Sequence, residues 1–317
     1  MSNLERINLS VTKLCNLHCR MCDIPELTSW DNDMTLGDLK RIIDEAVSLG
    51  AKTLELGGGE PMMRNDIYEI ISYASSLGLF TFMATNGVLI GQTEVKKLLD
   101  AGLNLITFSL EGPEQLNDQI RGNGNFGKTL NAIRGFLGYR QQLPWLKVGV
   151  GITLSRFNYK SIVQFSKYLL EEVGIDTISI NPINKDFLTP ENQISRANEL
   201  YIPVELIDDL SKEIEKLIQY GESMPGKLPK PGYLRRFPDY FTGKKIIPQG
   251  GCQIPSNFLG ITTNGRVFSC WHGSQVGDLR EAGLTEILGS DEWQKSNESA
   301  LSGKCNGCLA SCYFELY

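Results

Sequence analysis

Six times in its first two-thirds, the chain passes from a short β-branched or aliphatic run into a segment of helical periodicity. That alternation limits the folds open to it. The strand-like runs are Ile7–Val11, Thr53–Leu56, Leu79–Ala84, Leu105–Leu110, Lys147–Leu154 and Thr177–Asn181. The clearest helical segment is Leu36–Leu49: Leu36, Leu39, Ile42, Ile43, Ala46 and Val47 share one face, Thr35 can cap the start and Gly50 can end it. Strands each followed by a helix predict a parallel sheet with right-handed crossovers. A closed eight-unit barrel usually needs about 250 residues. Residues 1–220 hold six units, which predicts an α/β fold built on a partial (β/α)6 TIM-like barrel. In such folds the site gathers at the C-terminal ends of the strands.

Residues 221–249 break the pattern with Pro225, Pro229, Pro231, Pro238 and Pro248, and read as a connector. It interleaves Lys227, Lys230, Arg235, Arg236, Lys244 and Lys245 with Tyr233, Phe237, Tyr240 and Phe241. This pattern suits either aromatic anchors onto the barrel or a cap that grips an anionic or peptidic substrate. Beyond it, Phe258–Thr263 and Arg266–Cys270 flank Asn264-Gly265, a β-hairpin signal. Residues 250–317 are therefore expected to form a small cysteine-rich domain with a hairpin and a helix. With 41% hydrophobic and 21% charged residues, the chain is expected to fold throughout. The net charge of −6 argues against nucleic-acid or membrane-surface partners. Met1–Val11 does not read as a signal peptide, and no apolar run is long enough to span a bilayer. The expected location is the cytoplasm.

The eight cysteines fall into two groups, Cys15, Cys19 and Cys22 near the start and Cys252, Cys270, Cys305, Cys308 and Cys312 near the end. Clustered thiols in a large chain without an export signal point to metal or cluster ligation rather than to a disulfide framework. The first group, spaced C-x3-C-x2-C, directly follows the first strand. Three thiolates on one loop can hold three irons of a cubane cluster, which usually takes four cysteines. The open iron then suits a bidentate ligand such as the amino and carboxylate groups of methionine. A zinc site using His18 is the alternative, although His18 adjoins Cys19 and chelation of one tetrahedral ion by both is awkward. A zinc ribbon is the alternative for the second group, and a non-enzymatic binding module is the matching alternative for the whole chain.

The cysteine loop, followed by Gly58-Gly59-Glu60-Pro61 after the second strand, resembles the radical SAM superfamily. In that family a reduced 4Fe-4S cluster cleaves S-adenosylmethionine to a 5′-deoxyadenosyl radical, and the protein positions and shields it. The resemblance implies that Gly58, Gly59, Glu60 and Pro61 bind the methionine amino group. Thr85-Asn86-Gly87 is similar to the family's turn after strand three. Ser109, in the segment Ser109–Pro113, is expected at the ribose, and Arg121 of an Asp-x-x-Arg-Gly stretch at the carboxylate. Ile152 on the glycine-rich fifth strand and Met21 before the last cysteine are expected near the adenine, Met21 through sulfur–aromatic contact.

The second cysteine group resembles the SPASM/Twitch extension of the superfamily, in its shorter form with one auxiliary 4Fe-4S cluster. Cys252, Cys270, Cys305 and Cys308 are the expected ligands, with Cys312 a replacement for one of the last two, a free thiol or a hydrogen-atom donor. An auxiliary cluster can accept an electron, which favours dehydrogenation over isomerisation. The cluster motif begins at residue 15, which tilts the expected substrate toward a small polar molecule such as an aminocyclitol or sugar. A thiol-dependent epimerase and a peptide-modifying maturase with a separate leader-binding partner are the alternatives. The chemistry also calls for an electron donor such as flavodoxin or ferredoxin.

Overall fold

The computed structural model describes residues 4–26, 32–184, 196–248, 251–305 and 307–309. Six parallel strands form its frame: β1 (Arg6–Thr12), β2 (Thr53–Gly58), β3 (Phe80–Thr85), β4 (Leu105–Ser109), β5 (Lys147–Leu154) and β6 (Thr177–Pro182). They lie side by side in sequence order, each paired in parallel with the next. Between them run α1 (Leu36–Ser48), α2 (Ile67–Ser76), α3 (Gln92–Asp100), α4 (Glu114–Arg121), α5 (Asn125–Leu137) and α6 (Ile162–Lys167), which continues through a π-helical turn, Tyr168–Val173. The expected strands are all present. Helix α4 was not expected, because in its eight residues Leu116 and Ile120 are the only apolar positions, too short a stripe to announce it.

Alternation along the strands separates two environments. Ile7, Leu9, Leu54, Leu56, Met83, Ile106, Phe108, Val148, Val150, Ile178 and Ile180 are buried. Most of the intervening positions are polar or small, among them the half-buried Asn8, Glu55, Thr107, Ser109, Gly151, Thr153 and Ser179, with Phe82 and Leu105 among the apolar exceptions. Thr107 and Thr177 hydroxyls flank the space a side chain at Gly149 would fill, and Ser179 and Thr107 flank that at Gly151. Closed (β/α)8 barrels fill this inner face with bulky branched side chains. Here it is left open and polar, and the sheet is not closed.

The C-terminal region joins the same sheet. After α7 (Ile207–Glu222), α8 (Pro231–Leu234), α9 (Phe237–Phe241) and α10 (Ile254–Asn257) come β7 (Phe258–Ile261), β8 (Arg266–Phe268) and β9 (Gln275–Asp278), then α11 (Leu284–Leu288) and α12 (Asp291–Leu301). The nine strands run in the order β6-β5-β4-β3-β2-β1-β7-β8-β9. β7 pairs with β1 in parallel, with Ile7 opposite Leu259, and β8 returns antiparallel through the Asn264-Gly265 turn, where Gly265 has φ +91. The hairpin read from the sequence therefore extends the barrel sheet beyond its first strand.

The connector aromatics act as anchors. Tyr233, Phe237 and Phe241 are buried, and the Tyr233 hydroxyl donates to Asn181 Oδ1 at 3.1 Å and that of Tyr240 to the Ile183 carbonyl at 3.2 Å. The Ile178 N–H donates to the Lys227 carbonyl, so the connector also covers the β6 edge. Arg235 and Lys244 pair with Glu215 and Asp239. No helix among the described residues is long and apolar enough to cross a membrane. Because Leu259 is fully buried where β7 meets β1, Leu259→Ala should lower the stability of the whole fold by about 2–5 kcal/mol in chemical denaturation. An unchanged midpoint would contradict this packing.

Candidate active site

The cysteine loop leaves β1 at Thr12 and has no regular structure of its own until Ile24. Its backbone is held by the turn after β2. The Gly59 N–H donates to the Thr12 carbonyl at 2.7 Å and the Glu60 N–H to the Leu14 carbonyl at 2.8 Å. A Cβ on Gly59 would run into the Leu14 carbonyl and stand 2.6 Å from that of Lys13, and one on Gly58 would stand 2.5 Å from that of Thr12. The close approach that requires these glycines is thus between two stretches of backbone. Gly57, by contrast, faces open space.

Glu60 is buried, and its carboxylate accepts from the Thr85 hydroxyl and the Asn86 N–H, each at 2.7 Å, and from the Met62 N–H at 3.1 Å. Burial raises its pKa, against the opposing pull of these donors. It ties the turn after β2 to the turn after β3, while Pro61 opens a short 3-10 turn beside it. Asn86 in turn donates to Asn16 Oδ1 at 2.8 Å and to Cys15 Sγ at 3.9 Å. On the other flank, the Arg20 N–H donates to the Ile120 carbonyl at 3.0 Å, and Arg121 Nη1 donates to Cys19 Sγ at 3.8 Å. Asp118 of the same stretch caps α5 by accepting from the Gly124 and Phe126 N–H groups.

Cys15, Glu60, Thr85 and Asn86 form one hydrogen-bonded set at the C-terminal strand ends and Cys19 and Arg121 belong to another, the two joined through the cysteine loop. Ser109 ends β4 opposite Gly151, on the open face, and Met21 lies half-buried against the core. The Ile152 side chain, 2% exposed, shares the phase of Val148 and Val150 and points away from the open face. The sequence reading did not single out Glu111. It is buried against Arg121, and the one signal for it was an acidic residue directly after a strand end with an arginine ten positions on.

The three thiols suit a polynuclear cluster. Each of Cys15 and Cys22 feels the charge of its neighbours in the motif, and burial raises all three pKa values, that of Cys22 to about 11. Among the described residues no three His, Cys, Asp or Glu groups form a site for a single metal ion. His18 is exposed.

In the second group, Cys252, Cys270 and Cys305 are near enough to influence one another, and burial raises the first two. Backbone bonds hold them: Cys252 N–H to the Ala300 carbonyl at 3.0 Å, Cys305 N–H to that of Ser299 at 3.2 Å, and Cys308 N–H to that of Ile246 at 3.0 Å. Cys312 lies outside the described residues.

Residues 9–154 match the family model of the radical SAM superfamily, and residues 252–309 match SPASM, an iron–sulfur cluster-binding domain. The PqqA peptide cyclase of Rhodopseudomonas palustris is 32% identical over 97% of this chain and 78% of its own length. The Fe-coproporphyrin III synthase of Methanosarcina barkeri is 34% identical over 51% of this chain, a match that spans only 40% of that relative. Among solved structures, Streptococcus suis SuiB bound to the precursor peptide SuiA has the same fold, with a TM-score of 0.73 at 18% identity, covering 97% of this chain and 72% of SuiB.

The backbone contact at Gly59 makes a direct prediction. Gly59→Ala should push the cysteine loop off the β2 turn and cut iron loading of the anaerobically reconstituted protein several-fold, with the helical circular-dichroism signal retained. Gly57→Ala, whose methyl meets open space, should load normally, and equal loading of the two variants would refute the account. With both family models in sequence order and a curated relative aligned over most of both chains, this chain belongs to the radical SAM superfamily and carries a C-terminal SPASM iron–sulfur domain.

Proposed function

We propose that this radical SAM protein acts on a peptide, removing a hydrogen atom from one of its residues to begin cross-linking or epimerisation. The observation that carries this reading is the match to PqqA peptide cyclase over nearly the whole chain. The fold shared with SuiB, solved with its precursor peptide, is consistent with it.

In this reading Cys15, Cys19 and Cys22 would hold the 4Fe-4S cluster, which when bound would supply the electron for reductive cleavage of S-adenosylmethionine. The chain's part is to orient and to exclude water. Glu60 fixes the turns after β2 and β3 so that the Gly58–Pro61 backbone can meet the amino group. A guanidinium has five N–H donors. The contacts of Arg121 to Glu111 and Cys19 leave some of these for the carboxylate. Ser109 faces the open side, where a ribose can reach it. Cys252, Cys270 and Cys305, with Cys308 or Cys312, hold the auxiliary cluster, and a flavodoxin or ferredoxin supplies electrons.

A second reading, action on a small molecule, has in its favour the match to Fe-coproporphyrin III synthase over half of this chain. An anaerobic assay with S-adenosylmethionine, dithionite and the short peptides encoded beside the gene separates the two. Stimulated 5′-deoxyadenosine release with a dehydrogenated peptide, or with solvent deuterium in a peptide of otherwise unchanged composition, supports the peptide reading. Stimulation by a porphyrin and by none of the peptides would transfer the assignment to the small molecule. Cys19→Ala should abolish 5′-deoxyadenosine formation with any substrate.

A further inference from the structure

The pair formed by Glu111 and Arg121 lies beside the cysteine loop and is held by hydrogen bonds from several segments. Glu111 is 1% exposed and the Arg121 side chain 11%. Arg121 donates through Nε to Glu111 Oε1 at 2.9 Å and through Nη2 to the same oxygen, while its Nη1 reaches Cys19 Sγ at 3.8 Å. The other carboxylate oxygen of Glu111 accepts from the Thr153 N–H on β5 at 2.7 Å. Its backbone is fixed too: the N–H donates to Asn117 Oδ1 at 3.0 Å and the carbonyl accepts from Asn158 Nδ2 at 2.8 Å. The carboxylate therefore holds the guanidinium from the β4–β5 side and aims one of its remaining donors at a cluster thiolate.

We propose that Glu111 is a positioning residue that fixes Arg121 against Cys19, and that the two opposed charges together set the reduction potential of the S-adenosylmethionine-binding cluster. Reduction adds one electron to the cluster from an external donor and moves no atoms. A cation beside a ligating sulfur, and an N–H bond to it, favour the more negative reduced state, while a buried anion opposes it. Both charges are shielded from water, so neither effect is strongly screened. This assignment holds whatever the substrate is.

The test is a mediator-buffered dithionite titration of the anaerobically loaded protein, followed by its paramagnetic signals, with the signal of this cluster assigned as the one missing from Cys19→Ala and that of the auxiliary cluster as the one missing from Cys270→Ala. Glu111→Gln removes the anion while its amide oxygen can still accept from Arg121 Nε and Nη2, and should make the potential more positive. Arg121→Met should make it more negative, Arg121→Lys should fall between wild type and Arg121→Met, and the double variant should lie closer to wild type than either parent. A packing role alone would not produce shifts of opposite sign. Shifts of the same sign, or none, in variants with wild-type iron content overturn the proposal. If Glu111→Gln does not load, the Arg121 variants still decide: an unchanged or raised potential in both refutes it.

Discussion

The backbone contact between the Gly58–Glu60 turn and the cysteine loop is the constraint on which the site depends. A loop with no helix or strand cannot hold three thiols in place by itself, since each residue fixed costs about 1–2 kcal/mol of conformational entropy. Here neighbouring strand ends share that task. The turn after β2 takes the loop backbone at Thr12 and Leu14, the turn after β3 takes Asn16 and Cys15, and the segment after β4 takes Cys19 and Arg20. The motifs that the family resemblance assigns to ligand binding are thus also the scaffold of the cluster loop, and both tasks use the same residues.

Glu60 shows how one side chain joins the two. A buried carboxylate is costly unless it is hydrogen-bonded, and Glu60 accepts three bonds from two different loops. Its contribution is to make the turns after β2 and β3 a single unit. The family resemblance of Gly58–Pro61 implies a place for Glu60 at the ligand's amino group. In the fold its oxygens face Thr85 and Asn86, a contact between segments whose packing no local pattern reveals.

The same distinction separates what was legible from what was not. Alternation and β-branching placed β1 to β6, and Asn264-Gly265 placed the β7–β8 turn, because these depend on residues next to one another. The pairing of β7 with β1 joins residues some 250 positions apart, and neither strand carries a mark of its partner. Helix α4 was missed because its apolar face consists of Leu116 and Ile120 alone, and contacts to the cysteine loop and α5 supply the rest of its packing. Ile152 was assigned by its position on a glycine-rich strand, whereas phase along the strand decides its direction, and that phase sends Gly151 and Thr153 to the open face instead.

The open inner face follows from how the sheet ends. A closed barrel satisfies its edge strands by pairing them, which draws the strands into a ring narrow enough to fill with side chains. In this chain one edge of the parallel set is covered by the connector at Lys227 and the other is extended by β7, β8 and β9. The two flanks nevertheless approach through side chains: Asn184, just past β6, lies 3.3 Å from His272, two residues beyond Cys270. That contact brings the segment after Cys270 to the end of the sixth strand. The inner face lined by Thr107, Gly149, Gly151, Thr177 and Ser179 stays open. The absence of closure is therefore what leaves the β1 edge free for β7, β8 and the cysteine-bearing segments around them to join the sheet.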